Sequence, residues 1–149
     1  MTRILPRAPQ FDDFVAGDVH VSYSRTVTQA HLVDFTAMAG MTAPVFIDSD
    51  AAKDGPYGEP ICPGFLTASL SGGMLESVMG PKVLAGLGMD AFRFHVPVKV
   101  GDTLHAEVEI VGTKPTSDGS RGVLDMRIRV INQRAEAVLD YGAKVLMRR

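Results

Sequence analysis

The segment from Pro63 to Met79, "PGFLTASLSGGMLESVM", constrains the fold more than any other part of the chain. Apolar or small residues fall on nearly every side of it, Pro63 suits a first helical turn, and Gly80-Pro81 forbids continuation. A helix apolar all round is a buried helix. At a rise of about 1.5 Å per residue it runs roughly 25 Å, long enough to run along the concave face of a sheet.

The second half supplies such a sheet. Phe92, Phe94 and Val96 alternate with polar residues, as do Leu104 to Ile110, Leu124 to Val130, and Leu139 to Met147. Gly101-Asp102, residues 114–120 and residues 132–135 punctuate them as turns. Glu107, Glu109, Arg127, Arg129 and Lys144 occupy the opposite phase, predicting one wet face and one face against the helix. Upstream, Val19, Val21, Tyr23 and Val27 read as a half-buried strand with His20 turned outward, and Thr28 caps a helix that Gly40 ends. Residues 41–47 read as a turn, and Asp48 as the cap of a short helix ending at Gly55. The fold class expected is α+β, an antiparallel sheet around one long buried helix, in a single domain over residues 1–149.

Composition narrows the function. With 15 Lys+Arg against 17 Asp+Glu, the net charge of −2 points to neither nucleic acid nor an anionic membrane as a partner. One cysteine leaves no internal disulfide, no Cys/His cluster has metal-ligand spacing, and no segment has the ~20 apolar residues of a membrane span. The N-terminal "MTRILPRAPQFDDF" lacks a signal-peptide apolar run, so a cytoplasmic location without metal is expected. Flexibility is expected before Phe11 and over residues 114–120.

Three stretches resemble one family. "DFTAMAGMTAPVFIDSDAAKDGPYGEPICPGFLTASLSGGML", "FRFHVPVKVGDTLHAEVEI" and "KPTSDGSRGVLDMRIRVINQRAEAVL" look like the hydratase loop and central helix, the Pro-Val-x-x-Gly-Asp-Thr hairpin and the last hairpin of the MaoC-like dehydratases and (R)-specific enoyl-CoA hydratases. That resemblance implies the hotdog fold, an acyl-CoA thioester as substrate, no cofactor beyond that coenzyme A, and a homodimer or a heterodimer with a homologous hotdog subunit. The family's loop pattern is roughly Gly-Asp-x-Asn-Pro-x-His-x-Asp. Laid on "GMTAPVFID", Gly40, Pro44 and Asp48 match, whereas Met41 stands at the catalytic Asp, Ala43 at the Asn and Phe46 at the catalytic His.

Adding water to an enoyl thioester needs proton transfer that a thioether and a benzene ring cannot perform. Positioned acid–base groups contribute about 10²- to 10⁴-fold each, so the loop puts hydratase activity in doubt. The oxyanion half survives in Pro63-Gly64: the family binds the thioester oxygen to a backbone N–H at the start of the central helix, and Gly64 keeps that amide beside the helix's positive end. Substrate-binding candidates are therefore Gly64, Pro44, Met41, Phe46 and Phe65. Asp48 is a candidate replacement base beside its reading as a cap. Cys62 is either a thiol activated by the helix terminus or a buried structural one. Glu76 and Ser69 are candidate pocket residues or packing positions, and His95 a surface or interface residue; His31 and His105 lie on polar flanks. Lys82, Lys99, Lys114 and Arg121 are candidates to meet the phosphates of coenzyme A or simply a solvated surface, and "GLGM" (residues 86–89) is no phosphate loop. The competing functions are a hydro-lyase with relocated chemistry, a non-catalytic acyl-CoA-binding or partner subunit, and a hotdog thioesterase served by Asp48 or Glu76.

Overall fold

A computed structural model describes residues 4–149; the start of the N-terminal stretch expected to be flexible, residues 1–3, lies outside them. After a 3₁₀ turn at Phe11–Asp13 come β1 (Val19–Val21), β2 (Arg25–Thr26), α1 (Gln29–Ala39), α2 (Pro44–Ile47), α3 (Ser49–Lys53) and α4 (Gly64–Met79). Strands β3 (Val83–Phe94), β4 (Thr103–Pro115), β5 (Arg121–Ile131) and β6 (Ala137–Arg148) complete the chain. The strands form one antiparallel sheet in the order β1-β4-β5-β6-β3, with β2 beside β4.

The alternation read from β4, β5 and β6 is the alternation observed. Leu104, Ala106, Val108, Ile110, Leu124, Met126, Ile128, Val130, Leu139 and Met147 are all buried, and Leu66, Met74, Leu75 and Val78 of α4 join them in one core cluster. On the other face opposite charges meet across the ladder, Glu109 with Arg127, Asp125 with Lys144 and Asp140 with Arg129. Exposed pairs of this kind contribute about 0.2–1 kcal/mol each and serve mainly to keep that face wet.

Three departures have physical causes. The strand expected from Val19 to Val27 breaks in two because the Ser22 hydroxyl accepts from the Ala106 N–H at 2.8 Å and interrupts the ladder. As far as Tyr23 the phase is the reverse of the one expected: His20 faces inward at 4% exposure, edge-on to Phe14 at 5.7 Å, while Val21 and Tyr23 face solvent. Strand β3 begins at Val83, nine residues before the expected Phe92, so "GLGM" is strand; its two glycines and three register shifts had masked the pattern. Val96 lies beyond its end. Residues 41–47 contain the helical turn α2 rather than a simple turn, and the 116–120 connection is pinned by Asp118, which accepts from Thr116 Oγ1 (2.6 Å) and from the Ser120 N–H (3.1 Å).

Helix α4 buries one side only. Phe65, Ser69, Glu76 and Ser77 are exposed, and so is nearly every residue of β3, whose outer edge has no neighbouring strand among the described residues. On the buried side, one polar contact pins the helix to the sheet. Ser71 Oγ lies 3.0 Å from Tyr141 Oη and donates to Ala68 O at 2.8 Å, with both residues buried. Ser71→Ala leaves the phenol without that partner and is expected to cost about 1–3 kcal/mol in chemical denaturation, whereas Tyr141→Phe removes the hydroxyl itself and costs less than Ser71→Ala.

Candidate active-site cavity

The cavity forms where the loop after α1, the start of α4 and the segment after β3 meet. Helix α1 starts on Thr28, whose hydroxyl accepts from the His31 N–H (3.3 Å) while the Thr28 N–H donates to His31 Nδ1 (3.0 Å), so His31 belongs to a capping box. It ends at Gly40 in the left-handed region (φ 66°), which turns Met41 back toward the sheet. Pro44 opens α2, where its missing N–H costs nothing, and Phe46 follows half a turn later. Asp48 Oδ1 accepts from the Asp50 and Ala51 N–H groups at 3.0 and 2.9 Å, and Asp48 does not line the cavity. The carboxylate is a helix cap in this geometry.

The second wall is tied down by main-chain bonds. Ile61 N–H donates to Val45 O (3.1 Å) and Cys62 N–H to Val98 O (2.7 Å), so the residues before α4 are stitched to the hydratase-like loop on one side and to the Pro97-Val98 segment on the other. That segment is held in turn by Asp102, which accepts from the Lys99 N–H, Gln133 Nε2 and Arg134 Nη1 at 2.9, 2.7 and 3.2 Å. Burial alone would raise the Asp102 carboxyl, but these donors outweigh it and hold it below the usual value. Lys99 Nζ is engaged by Tyr57 O and Glu59, and Arg121 faces Asp118; neither is a loose cation awaiting a phosphate.

Within these walls lies a cavity of about 600 Å³. Met41, Phe46, Gly64 and Phe65 line it, as do Cys62, Thr67, Phe94 and Val138. The ladder of α4 opens with the Leu66 and Thr67 N–H groups both directed at Pro63 O, so the Gly64 and Phe65 amides precede it at the positive end of the helix. A Cβ at Gly64 would lie 2.8 Å from the Phe94 ring, so a side chain there would require that ring to move. Glu76 and Ser69 do not line the cavity; Ser69 Oγ donates to Phe65 O.

No carboxylate lines this cavity among the described residues; its titratable side chains are Tyr57, Cys62 and His95. Burial, with a smaller contribution from Asp102, pushes the Cys62 thiol up to about 11, so it is a protonated structural thiol rather than a nucleophile. His95 was expected at the surface or an interface, and it has a partner: its Nε2 is 2.9 Å from Asp140 Oδ2, and Asp140 Oδ1 accepts from Arg129 Nε at 3.4 Å. Asp140 and Arg129 belong to the outer face of the sheet, where they line a shallow depression with Glu107 and Glu109, whereas Phe94 next to His95 faces Gly64. An imidazole–carboxylate pair therefore stands at the cavity's border, anchored from the far side.

A sheet curled over one helix, with a cavity at that helix's N-terminus, is the hotdog architecture. The chain belongs to the MaoC like domain family, whose model it matches over residues 11–130. Protein MaoC of Klebsiella aerogenes is 31% identical over 106 residues, 71% of this chain and 32% of that protein. The 3-hydroxyacyl-thioester dehydratase Z of Mycobacterium tuberculosis is 30% identical over 98 residues, 64% of this chain and 65% of the enzyme. This chain thus spans less than two thirds of either relative's length. The solved structure of R-hydratase PhaJ1 from Pseudomonas aeruginosa superposes with a TM-score of 0.80 at 28% identity, covering 93% of this chain and 85% of that one.

Of the substrate-binding candidates Gly64, Pro44, Met41, Phe46 and Phe65, the structure brings Met41, Phe46, Gly64 and Phe65 to the lining of one cavity, whereas Pro44 opens α2 and is not among the lining residues. The sequence did not reveal Thr67, Phe94 or Val138 as lining residues, since each reads as ordinary core in a helix or strand pattern. Two measurements test the Cys62 assignment. Thiol-specific alkylation at pH 8 is expected to be slow in the native protein and rapid in denaturant. A group raised in the folded state contributes stability that is fully present below its unfolded value of 9.0 and lost as pH rises toward about 11, so Cys62→Ala is expected to flatten the alkaline decline in stability across that window.

Proposed function

We propose that this chain binds an acyl thioester in the cavity, with the thioester oxygen at the Gly64 and Phe65 amides and the acyl group against Met41 and Phe46, and that it does not hydrate an enoyl thioester at a hydratase's rate. One observation carries the reading: the two side chains at the family's dyad positions both border a cavity that no carboxylate lines, beside a helix terminus suited to a carbonyl oxygen. The names of the relatives support the thioester class, and the chemistry of the lining supports binding over turnover.

The exposed edge of β3 supports a dimer. Leu84, Leu87, Met89, Phe92 and Phe94 lie exposed along one strand, a row of apolar residues and unpaired backbone that a second hotdog subunit covers by extending the sheet. That subunit is a second copy or a homologue; a homologue carrying its own Asp and His makes this chain the binding half of a heterodimer. Leu87→Glu with Met89→Glu is expected to reduce the mass in sedimentation from a multiple of the chain's 16.0 kDa to 16.0 kDa itself.

The His95–Asp140 pair favours a second reading, a hydro-lyase whose proton transfer has moved to the cavity's border. Purified protein incubated with crotonyl-CoA separates the two. The binding reading expects the enoyl chromophore to persist, no free thiol to appear, and the melting temperature to rise with butyryl-CoA. Rapid loss of the chromophore overturns it, and a further drop of about 10²- to 10⁴-fold in His95→Gln then assigns the proton transfer to His95. Thiol release without hydration points instead to a thioesterase.

A further inference from the structure

A second cavity, of about 360 Å³, lies on the other side of α2. Leu32, Val33 and Ala37 of α1 and Ile47 give it apolar walls, and the Thr36 hydroxyl beside them is occupied by Leu32 O at 2.8 Å, leaving its methyl group as the available surface. Phe46 is the one residue that lines both this cavity and the cavity at the start of α4. On either side of the ring the chain crosses between the two spaces in single steps: Met41 faces one and Thr42 the other, Ile61 one and Pro60 the other. The backbone beneath the ring is fixed, because Phe46 N–H donates to Ala43 O, Asp48 N–H to Pro44 O and Ile61 N–H to Val45 O.

Resting on the acyl-thioester reading above, we propose that Phe46 is a fixed partition across a single acyl channel and that it limits the acyl chains accepted to short ones. The space beside α1 has an apolar stretch suited to an acyl tail in Leu32, Val33, Ala37 and Ile47, with Gln29, Thr42 and Ser49 also on its lining, and it shares Phe46 with the thioester cavity. With the ring in place an acyl tail ends against it. Without the ring, the tail continues between α1 and α2.

Calorimetric titration of butyryl-CoA and decanoyl-CoA into the wild-type protein and into Phe46→Ala tests this. Wild type is expected to prefer the butyryl thioester. Phe46→Ala is expected to bind decanoyl-CoA at least tenfold more tightly than wild type does, since each newly buried methylene adds roughly a three- to fourfold gain, while butyryl-CoA, which loses its contact with the ring and gains no new one, binds more weakly. Adding Ala37→Phe to fill the second chamber is expected to cancel the decanoyl gain. If Phe46→Ala does not fold by circular dichroism, Phe46→Leu carries the same comparison with a smaller gain. An unchanged ratio between the two thioesters, or a wild-type protein that already binds both equally, overturns the partition while leaving the thioester site in place. Failure of every variant to bind either thioester overturns the parent reading and the partition together.

Discussion

Burial of α4 against the concave face of β4, β5 and β6 is the contact on which the other elements depend. The inner side chains of those strands are almost wholly excluded from water, and the helix contributes Leu66, Met74, Leu75 and Val78 to the same cluster. Neither partner is stable without the other, because a helix this apolar and a sheet with one greasy face each carry surface that costs about 25 cal/mol per Å² when left in water. The Ser71–Tyr141 contact fixes the rotation of the helix on the sheet, and that rotation decides which residues at its first turn face the cavity.

From that contact the site follows by short tethers. Once α4 is seated, the Cys62–Val98 and Ile61–Val45 main-chain bonds position both walls relative to its N-terminus, and the Asp102 network holds the Val98 side from behind. The Gly-Asp of the hairpin motif thus acts at a distance: Gly101, at φ 96°, makes the turn in which Asp102 gathers its donors, and neither lines the cavity. Gly64 is a point of close approach within the cavity wall. Its missing side chain lets Phe94 lie against the first turn of the helix, so one residue satisfies a packing demand and leaves an amide open to a ligand.

How much of this was legible follows from what each signal depends on. The strands β4 to β6 and the caps at Thr28, Gly40 and Asp48 are local, and period or side-chain chemistry revealed them. The first strand went wrong where a side chain entered the ladder: Ser22 bonding to Ala106 is a tertiary event that no alternation of Val19, Val21 and Tyr23 announces. Strand β3 was half hidden for a related reason. Its outer edge has no neighbouring strand among the described residues and nearly all of its residues are exposed, so its sequence lacks the half-buried alternation that β4 to β6 display. Within the site, Met41 and Phe46 could be read because they fall five residues apart across one turn, and Gly64 because it opens α4, while the His95–Asp140 pair joins residues 45 apart through a cross-strand neighbour and left no sequence trace.

The site's chemistry then turns on which side of the sheet a proton carrier occupies. A dyad aimed at the helix terminus would act on a bound thioester; the imidazole present is paired with a carboxylate whose other oxygen accepts from Arg129 on the wet face. Pairing of Asp140 with a permanently charged guanidinium stabilises the carboxylate where it stands and opposes its movement toward the cavity. Met41 and Phe46 also bring to the cavity no strong hydrogen-bonding side-chain group with which to hold a water molecule for attack. What remains, an apolar lining next to oriented amides, favours an acyl group and a carbonyl oxygen over activated water. On the proposed reading, Met41 and Phe46 add surface for an acyl chain at the positions where the family's loop pattern places its Asp and His.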